Sequence, residues 1–200
     1  GIFGIIVVSA NIFRASTAWG NLILVLGLIT MLGGAILAVF SVNLKRTLAC
    51  SSMSQIGFIL TGIAMDCLLG EENALAARGA LLYMVNHSLF KLILFMAAGV
   101  VYMNLHKLNL NDVRGFGRKK PILHFAFLMG AFGLMGVPGF SGYVSKTLIH
   151  EGIVEYAELL AEEGMGALSV LYRGAEWIYL FSGGLTGAYM IKLYICLFWE

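Results

Sequence analysis

The run Ile122-Leu-His-Phe-Ala-Phe-Leu-Met-Gly-Ala-Phe-Gly-Leu-Met-Gly-Val-Pro-Gly-Phe-Ser-Gly-Tyr-Val-Ser-Lys-Thr-Leu-Ile-His150 decides the fold. It is long and apolar enough to cross a bilayer, whose hydrocarbon core of about 30 Å takes about 20 helical residues. Yet Gly136-Val-Pro-Gly139, followed by Gly142, interrupts it near the middle. Proline removes a backbone donor and clashes with the preceding turn, so this cluster predicts a helix broken at 136–142. Broken helices are tolerated at membrane depth only where protein or water satisfies the freed N–H and C=O groups, and such breaks mark ion sites. Lys146 follows the break and His150 lies one turn beyond, an arrangement that reads as an exit gate; a kink serving packing alone is the plainer alternative.

Working outward, residues 21–41, 48–67, 75–103 and 177–199 read as further spans, and residues 1–10 as part of another helix whose beginning lies outside the sequence. The composition agrees. Sixty per cent of the 200 residues are hydrophobic and only 12% are charged, too few charges to cover a soluble domain, in which about a quarter of residues are charged. A β-barrel would alternate apolar and polar residues, whereas residues 22–40 are apolar or small on all sides. The fold class is therefore an all-α polytopic transmembrane helix bundle with one discontinuous helix, in a single domain over residues 1–200. A net charge of +2 gives no reason to expect a nucleic-acid partner. Cys50, Cys67 and Cys196 stand far apart and read as buried thiols.

Lysine and arginine distribution sets orientation. Lys45 and Arg46 fall in loop 42–47, and Lys107, Arg114, Arg118, Lys119 and Lys120 in loop 104–121, so both loops are expected in the cytoplasm. The opposite ends carry Asp66, Glu71 and Glu72, then Glu151, Glu155, Glu158, Glu162 and Glu163. Glu151, Glu155, Glu158 and Glu162 share a helical stripe that should continue the fourth span as a solvated acidic edge as far as Gly164.

Once loops and span ends are set aside, the membrane interior is expected to retain Lys91, Lys146, Lys192, His87 and His124, and no carboxylate. An ammonium at mid-bilayer costs about 2.5–3.5 kcal/mol on insertion scales, so each lysine must face protein or water, find a partner or release its proton. Lys192 is best read as snorkelling to the nearby interface. His87 and Lys91 share a helix face with Tyr83, forming a polar ladder about 12 Å long, the geometry of a proton relay. His124, lacking such companions, reads as a packing residue. Lys45 opens the second full span, and Ser51, Ser52, Ser54 and Gln55 continue inward from it as a polar stripe suited to a hydrated entrance. Gly183 and Gly187 read as a helix-packing face.

Three segments together, Asn43-Leu-Lys-Arg-Thr-Leu-Ala-Cys-Ser-Ser-Met-Ser-Gln-Ile-Gly-Phe58, Asn86-His-Ser-Leu-Phe-Lys-Leu-Ile-Leu-Phe95 and Gly139-Phe-Ser-Gly-Tyr-Val-Ser-Lys146, resemble the antiporter-like proton-conducting membrane subunits of respiratory complex I, of energy-converting membrane hydrogenases and of Mrp-type cation/proton antiporters. The resemblance implies the C-terminal half of a fold built from two inverted helical repeats. It matches Lys45 to the lysine opening the family's tenth helix, His87 and Lys91 to its eleventh, and Lys146 to the terminal proton-loading lysine after the break in its twelfth. Tyr83 stands where some members have a second histidine, and Lys192 where many have no charge, so no role passes to Lys192.

The expected function is translocation of H⁺, or of Na⁺ and H⁺, within a larger membrane complex, in the bacterial inner membrane. The relay would comprise Lys45, Tyr83, His87, Lys91, Lys146 and His150. No catalytic residue or metal ligand is assigned. No flavin, nucleotide or iron–sulfur motif occurs, so no cofactor is expected. Expected partners are the lipid bilayer and other membrane subunits of a multisubunit complex. The rivals are a non-transporting anchor or scaffold and a haem-bearing subunit that would need His87 and His124 at matching depth.

Overall fold

The computed structural model describes residues 1–13, 16–70 and 75–199. Its helices are α1 (Ile2–Asn11), α2 (Thr17–Phe40), α3 (Leu44–Leu69), α4 (Leu75–Leu105), α5 (Pro121–Met135), α6 (Ser141–Glu162) and α7 (Gly166–Phe198), with a 3₁₀ turn at Leu110–Asp112. Among the described residues there is no strand, only an isolated bridge between Asn43 and Asn109. Four helices, α2, α3, α4 and α7, are each long and apolar enough to cross a membrane. Glu71 and Glu72, expected on the acidic face, lie outside the described residues.

The predicted break separates α5 from α6. Gly136 takes the left-handed conformation at φ 78°, and both its N–H and that of Val137 donate to the Phe132 carbonyl, closing α5. Gly139 is also left-handed, at φ 96°. α6 then runs past the expected membrane boundary and ends before Gly164, at φ 80°, with Glu151, Glu158 and Glu162 exposed. α7 starts at Gly166, well before the expected 177. Its first charged residues stay helical because Arg173 and Glu176 pair with each other and with side chains of α6.

α3 is the central helix, buried on every face over residues 57–65, as an all-round apolar helix should be. It lies close against α2 through glycines. A Cβ on Gly27 would meet Leu60 and the backbone of Thr61 at 3.2 Å, and one on Gly57 would overlap the Met31 backbone. Small residues let membrane helices approach in this way. The expected packing face of Gly183 and Gly187 is different: no described atom lies within 4 Å of a Cβ there, so that side of α7 is open. A stripe of small residues records that close approach is sterically allowed, not that a partner fills it.

Two loops expected on one side of the membrane meet. Leu44 N–H donates to the Leu108 carbonyl at 2.8 Å and Leu110 N–H to that of Val42 at 2.9 Å. The second loop also closes the end of α7, where Gly115 and Gly117 N–H groups donate to the carbonyls of Cys196 and Leu197. Lys192 reaches the end of α2 beside loop 42–47. Its Nζ donates to the carbonyls of Val39 (2.6 Å), Ser41 (2.7 Å) and Ala38 (3.3 Å), so it caps the C-terminus of α2, where unpaired carbonyls and the helix dipole attract a cation.

Apolar packing falls into two cores. One joins Met31, Phe58, Ile63, Tyr83, Ile149 and Tyr179; the other joins Leu48, Leu94, Phe127, Leu134, Tyr189 and Leu193. Between them α3, α4, α6 and α7 each contribute buried polar residues: Ser51, Ser54 and Gln55; Asn86 and Lys91; Ser145; and Ser182 and Thr186. A polar layer thus crosses the middle of the bundle.

Candidate functional site

The site is this layer. On α4, helical spacing sets Tyr83, His87 and Lys91 along one face; Tyr83 and Lys91 are buried and His87 is half-buried. Among the described residues no hydrogen bond joins the three. Lys91 and Tyr83 each turn to α3. Lys91 Nζ donates to the Leu48 carbonyl at 2.9 Å and to the Ser51 hydroxyl. Tyr83 donates to the Gln55 amide oxygen. The Gln55 amide nitrogen in turn donates to Tyr189 at 2.9 Å and to Thr186 at 3.2 Å, tying α3, α4 and α7 together. The serine and glutamine stripe of α3 therefore faces protein, with Ser51, Ser54 and Gln55 fully buried.

Lys146 stands on the other side of Tyr83. The break leaves carbonyls of the last turn of α5 without helical partners, and Lys146 Nζ takes one, Leu134, at 2.9 Å. Its ammonium also lies 4.6 Å from the Phe58 ring centre and 5.5 Å from that of Tyr83, within cation–π range. Tyr83 thus presents its hydroxyl to Gln55 and its ring to Lys146. A cleft of about 300 Å³ adjoins Lys146, lined by Phe58, Thr147, His150 and Tyr179 among others. At about 30 Å³ per water molecule, such a space accommodates several waters.

Among the described residues, three buried polar atoms in and beside the layer have no hydrogen-bond partner there: Ser54 Oγ, Ser182 Oγ and His87 Nε2. Buried polar atoms are normally satisfied, so such exceptions call for a cause. Here they lie in the region where the sequence points to ion passage.

Beyond Lys146, His150 Nε2 lies 3.1 Å from Glu176 Oε1. Glu176 lies one residue outside the span expected over residues 177–199, so the hydropathy pattern alone does not mark it. Its side chain is only 16% exposed, so a carboxylate is buried in the protein just ahead of the last expected span. The legible signal was a Glu176 three residues after Arg173, at the head of an apolar run. Tyr179, whose hydroxyl donates to the Lys146 carbonyl at 2.9 Å, carries no such signal in the sequence, and Gln55, expected in the entrance stripe, is instead a buried junction between helices.

Lys45 is not brought into the buried cluster. It is exposed, with Nζ 4.7 Å from the Tyr102 ring centre. His124 is a packing residue, bonded to Tyr194 at 2.6 Å and stacked on Phe198. The antiparallel contact of α4 and α5, with Gly133 against Phe90 and Gly130 against Leu94, sets His124 and His87 about 18–20 Å apart along the bundle. They are not opposed as the two axial ligands of one haem would be.

The fold and this layer define an integral membrane protein: a helical bundle with one discontinuous helix and lysines held at its centre. Residues 1–162 match the family described as NADH:quinone oxidoreductase/Mrp antiporter, TM, and the chain belongs to that family. It is 35% identical over 142 residues to NAD(P)H-quinone oxidoreductase chain 4 1 of Synechococcus elongatus, covering 71% of this chain and 26% of that protein. It is 33% identical over 156 residues to formate hydrogenlyase subunit 3 of Escherichia coli, covering 76% and 26%. Its fold matches a chain in the structure of the membrane-bound sulfane sulfur reductase, an archaeal respiratory membrane complex, with TM-score 0.73, 22% identity, and coverage of 91% of this chain and 33% of that one. The chain thus spans about a quarter of the length of the curated relatives it matches.

Proposed function

We propose that this chain forms part of a proton-translocating membrane subunit of a larger complex, and that protons cross it through the polar layer. They enter on the side of Lys45, in loop 42–47, and pass the level of Lys91, His87 and Tyr83. They reach Lys146 and leave through His150 toward the acidic edge of α6. Loops 42–47 and 104–121 face the cytoplasm of a bacterial cell, whose inner membrane holds the complex. Neighbouring membrane subunits bind the apolar outer faces alongside lipid.

The observation that carries this reading is the pair of lysines, Lys91 and Lys146, held on either side of Tyr83 between two apolar cores. An ammonium at this depth is costly, and each is held by a backbone carbonyl, with no carboxylate partner among the described residues. Such a group exchanges its proton when the charge next to it changes, which is the elementary step of a relay. Water in the cleft beside Lys146 carries the proton between side chains that do not touch. Family membership supports the same reading.

The test is proton translocation by the full-length protein in its native complex, isolated and reconstituted in proteoliposomes. Lys146→Ala and His87→Ala should each lower translocation strongly while the complex still assembles. A scaffold would keep full translocation in both variants. Replacing H⁺ gradients by Na⁺ gradients distinguishes the transported ion.

A further inference from the structure

The exit side of the bundle holds a chain of charged groups that the relay as read from sequence does not use. Glu176 of α7 faces His150 of α6 with Oε1 3.1 Å from Nε2. Its other oxygen lies 3.6 Å from Arg173 Nη1. Arg173 Nη2 is in turn 3.7 Å from Glu158 Oε1 on α6. Side-chain exposure is 25% at His150 and 16% at Glu176, and beyond Glu176 it rises to 48% at Arg173 and 62% at Glu158. The path therefore opens from the protein interior to the acidic edge within two turns of α6.

The surroundings of Glu176 point to one use. From α6 come His150 and, beyond Arg173, Glu158; from α7 itself come Arg173 and Tyr179, whose ring stands 6.1 Å from that of His150. Asn21, bonded to Tyr172, and Phe58, against Tyr179, are neutral; the charged residues of α3 and α4 near this level are Asp66 and Arg78, next to Met65 and Gly79, which pack against Gly152 and Ile149 of α6. A lone buried carboxylate would be expensive, and Arg173 holds it in place. Because that contact is a single oxygen at 3.6 Å and not a two-point fork, the carboxylate keeps its other oxygen for His150.

We propose that Glu176 is the proton-releasing carboxylate of the exit, taking the proton from His150 and passing it to water beside Glu158, with Arg173 as its positioning residue. This rests on the reading of Lys146 and His150 as the end of the path. In the step, the imidazolium N–H bond breaks and a carboxyl O–H bond forms, leaving neutral His150 and neutral Glu176. The O–H bond then breaks to water and restores the carboxylate, while Arg173 stays charged throughout. When Glu176 is protonated, Arg173 keeps Glu158 as its remaining anionic partner, so neither state strands the guanidinium.

The experiment uses the full-length protein in its native complex in proteoliposomes, with assembly checked by native gel. E176Q should assemble, translocate protons at least about tenfold more slowly, as for loss of a general acid–base group, and show a flattened dependence on outer-side pH. E176D, which keeps the carboxylate, should recover most of the rate. A purely structural role would leave the pH profile unmoved. If E176Q does not assemble, E176Q/R173Q removes both charges together and carries the same expectation. Lys146→Ala is measured alongside. If Lys146→Ala abolishes translocation but the glutamine variants match wild type in rate and pH profile, Glu176 has no role in release and the path reading stands. If Lys146→Ala translocates normally, the path reading and this assignment fall together.

Discussion

Replacing Lys192 by methionine separates a lysine that holds the bundle together from those assigned to the relay. Methionine keeps the stem and its apolar contacts but removes the ammonium that donates to the Val39, Ser41 and Ala38 carbonyls at 2.6, 2.7 and 3.3 Å. Hydrogen bonds from a charged group contribute about 1.5–3 kcal/mol each, but the three share one ammonium and do not add. Against this stands the cost of a half-buried charge, which Lys192→Met relieves. Unpaired carbonyls at the end of a membrane helix cost several kcal/mol unless water reaches them. The balance is a loss of about 2–4 kcal/mol. The assay is denaturant-induced unfolding of the full-length protein in detergent, followed by circular dichroism, beside translocation by the reconstituted complex. The expected result is a lower unfolding free energy with translocation per assembled complex unchanged. Unaltered stability, or translocation lost at unaltered stability, would refute the assignment of Lys192 as a cap on α2.

Gly57→Ala should destabilise by about 1–3 kcal/mol, the usual range for overpacking, because its methyl would overlap the Met31 backbone and push α2 from α3; Gly187→Ala, facing open space in this chain, serves as the control in the same unfolding assay. Gly136→Ala forces an L side chain to φ 78°, costing about 1 kcal/mol, and crowds Lys146 Cδ at 3.2 Å. It should therefore slow translocation more than it lowers stability. Gln55→Leu removes the acceptor for Tyr83 and the donor for Tyr189 and Thr186; three buried hydroxyls lose a partner, and stability should fall by about 2–4 kcal/mol in the unfolding assay.

Features that act within one helix were readable in the sequence. Gly136, Pro138 and Gly139 terminate α5 through local backbone geometry, so the break needs no knowledge of neighbours. The i, i+4 spacing of Tyr83, His87 and Lys91 likewise follows from the helix alone. What joins one helix to another was not readable. Gln55 meets Tyr189 across 134 positions, and nothing in either neighbourhood announces the other. Glu176 sits where a hydropathy boundary excludes charge, and only the pairing with His150 and Arg173 shows why a carboxylate can stay there. Lys192 was read from its distance to an interface, whereas three carbonyls from α2 fix its position. The Gly183 and Gly187 face was read as packed because small residues permit contact, but which face has a neighbour depends on the whole bundle.

The central claim is that Lys91 and Lys146 belong to one continuous path through the polar layer. It is tested most directly by a double-mutant cycle on proton translocation by the full-length protein in its reconstituted complex, using Lys91→Met, Lys146→Met and the pair. Groups that act as a unit are strongly non-additive, so each single variant should abolish translocation and the pair should be no worse than either alone. Partial losses that multiply in the double variant, with all three complexes assembled, would contradict a single path.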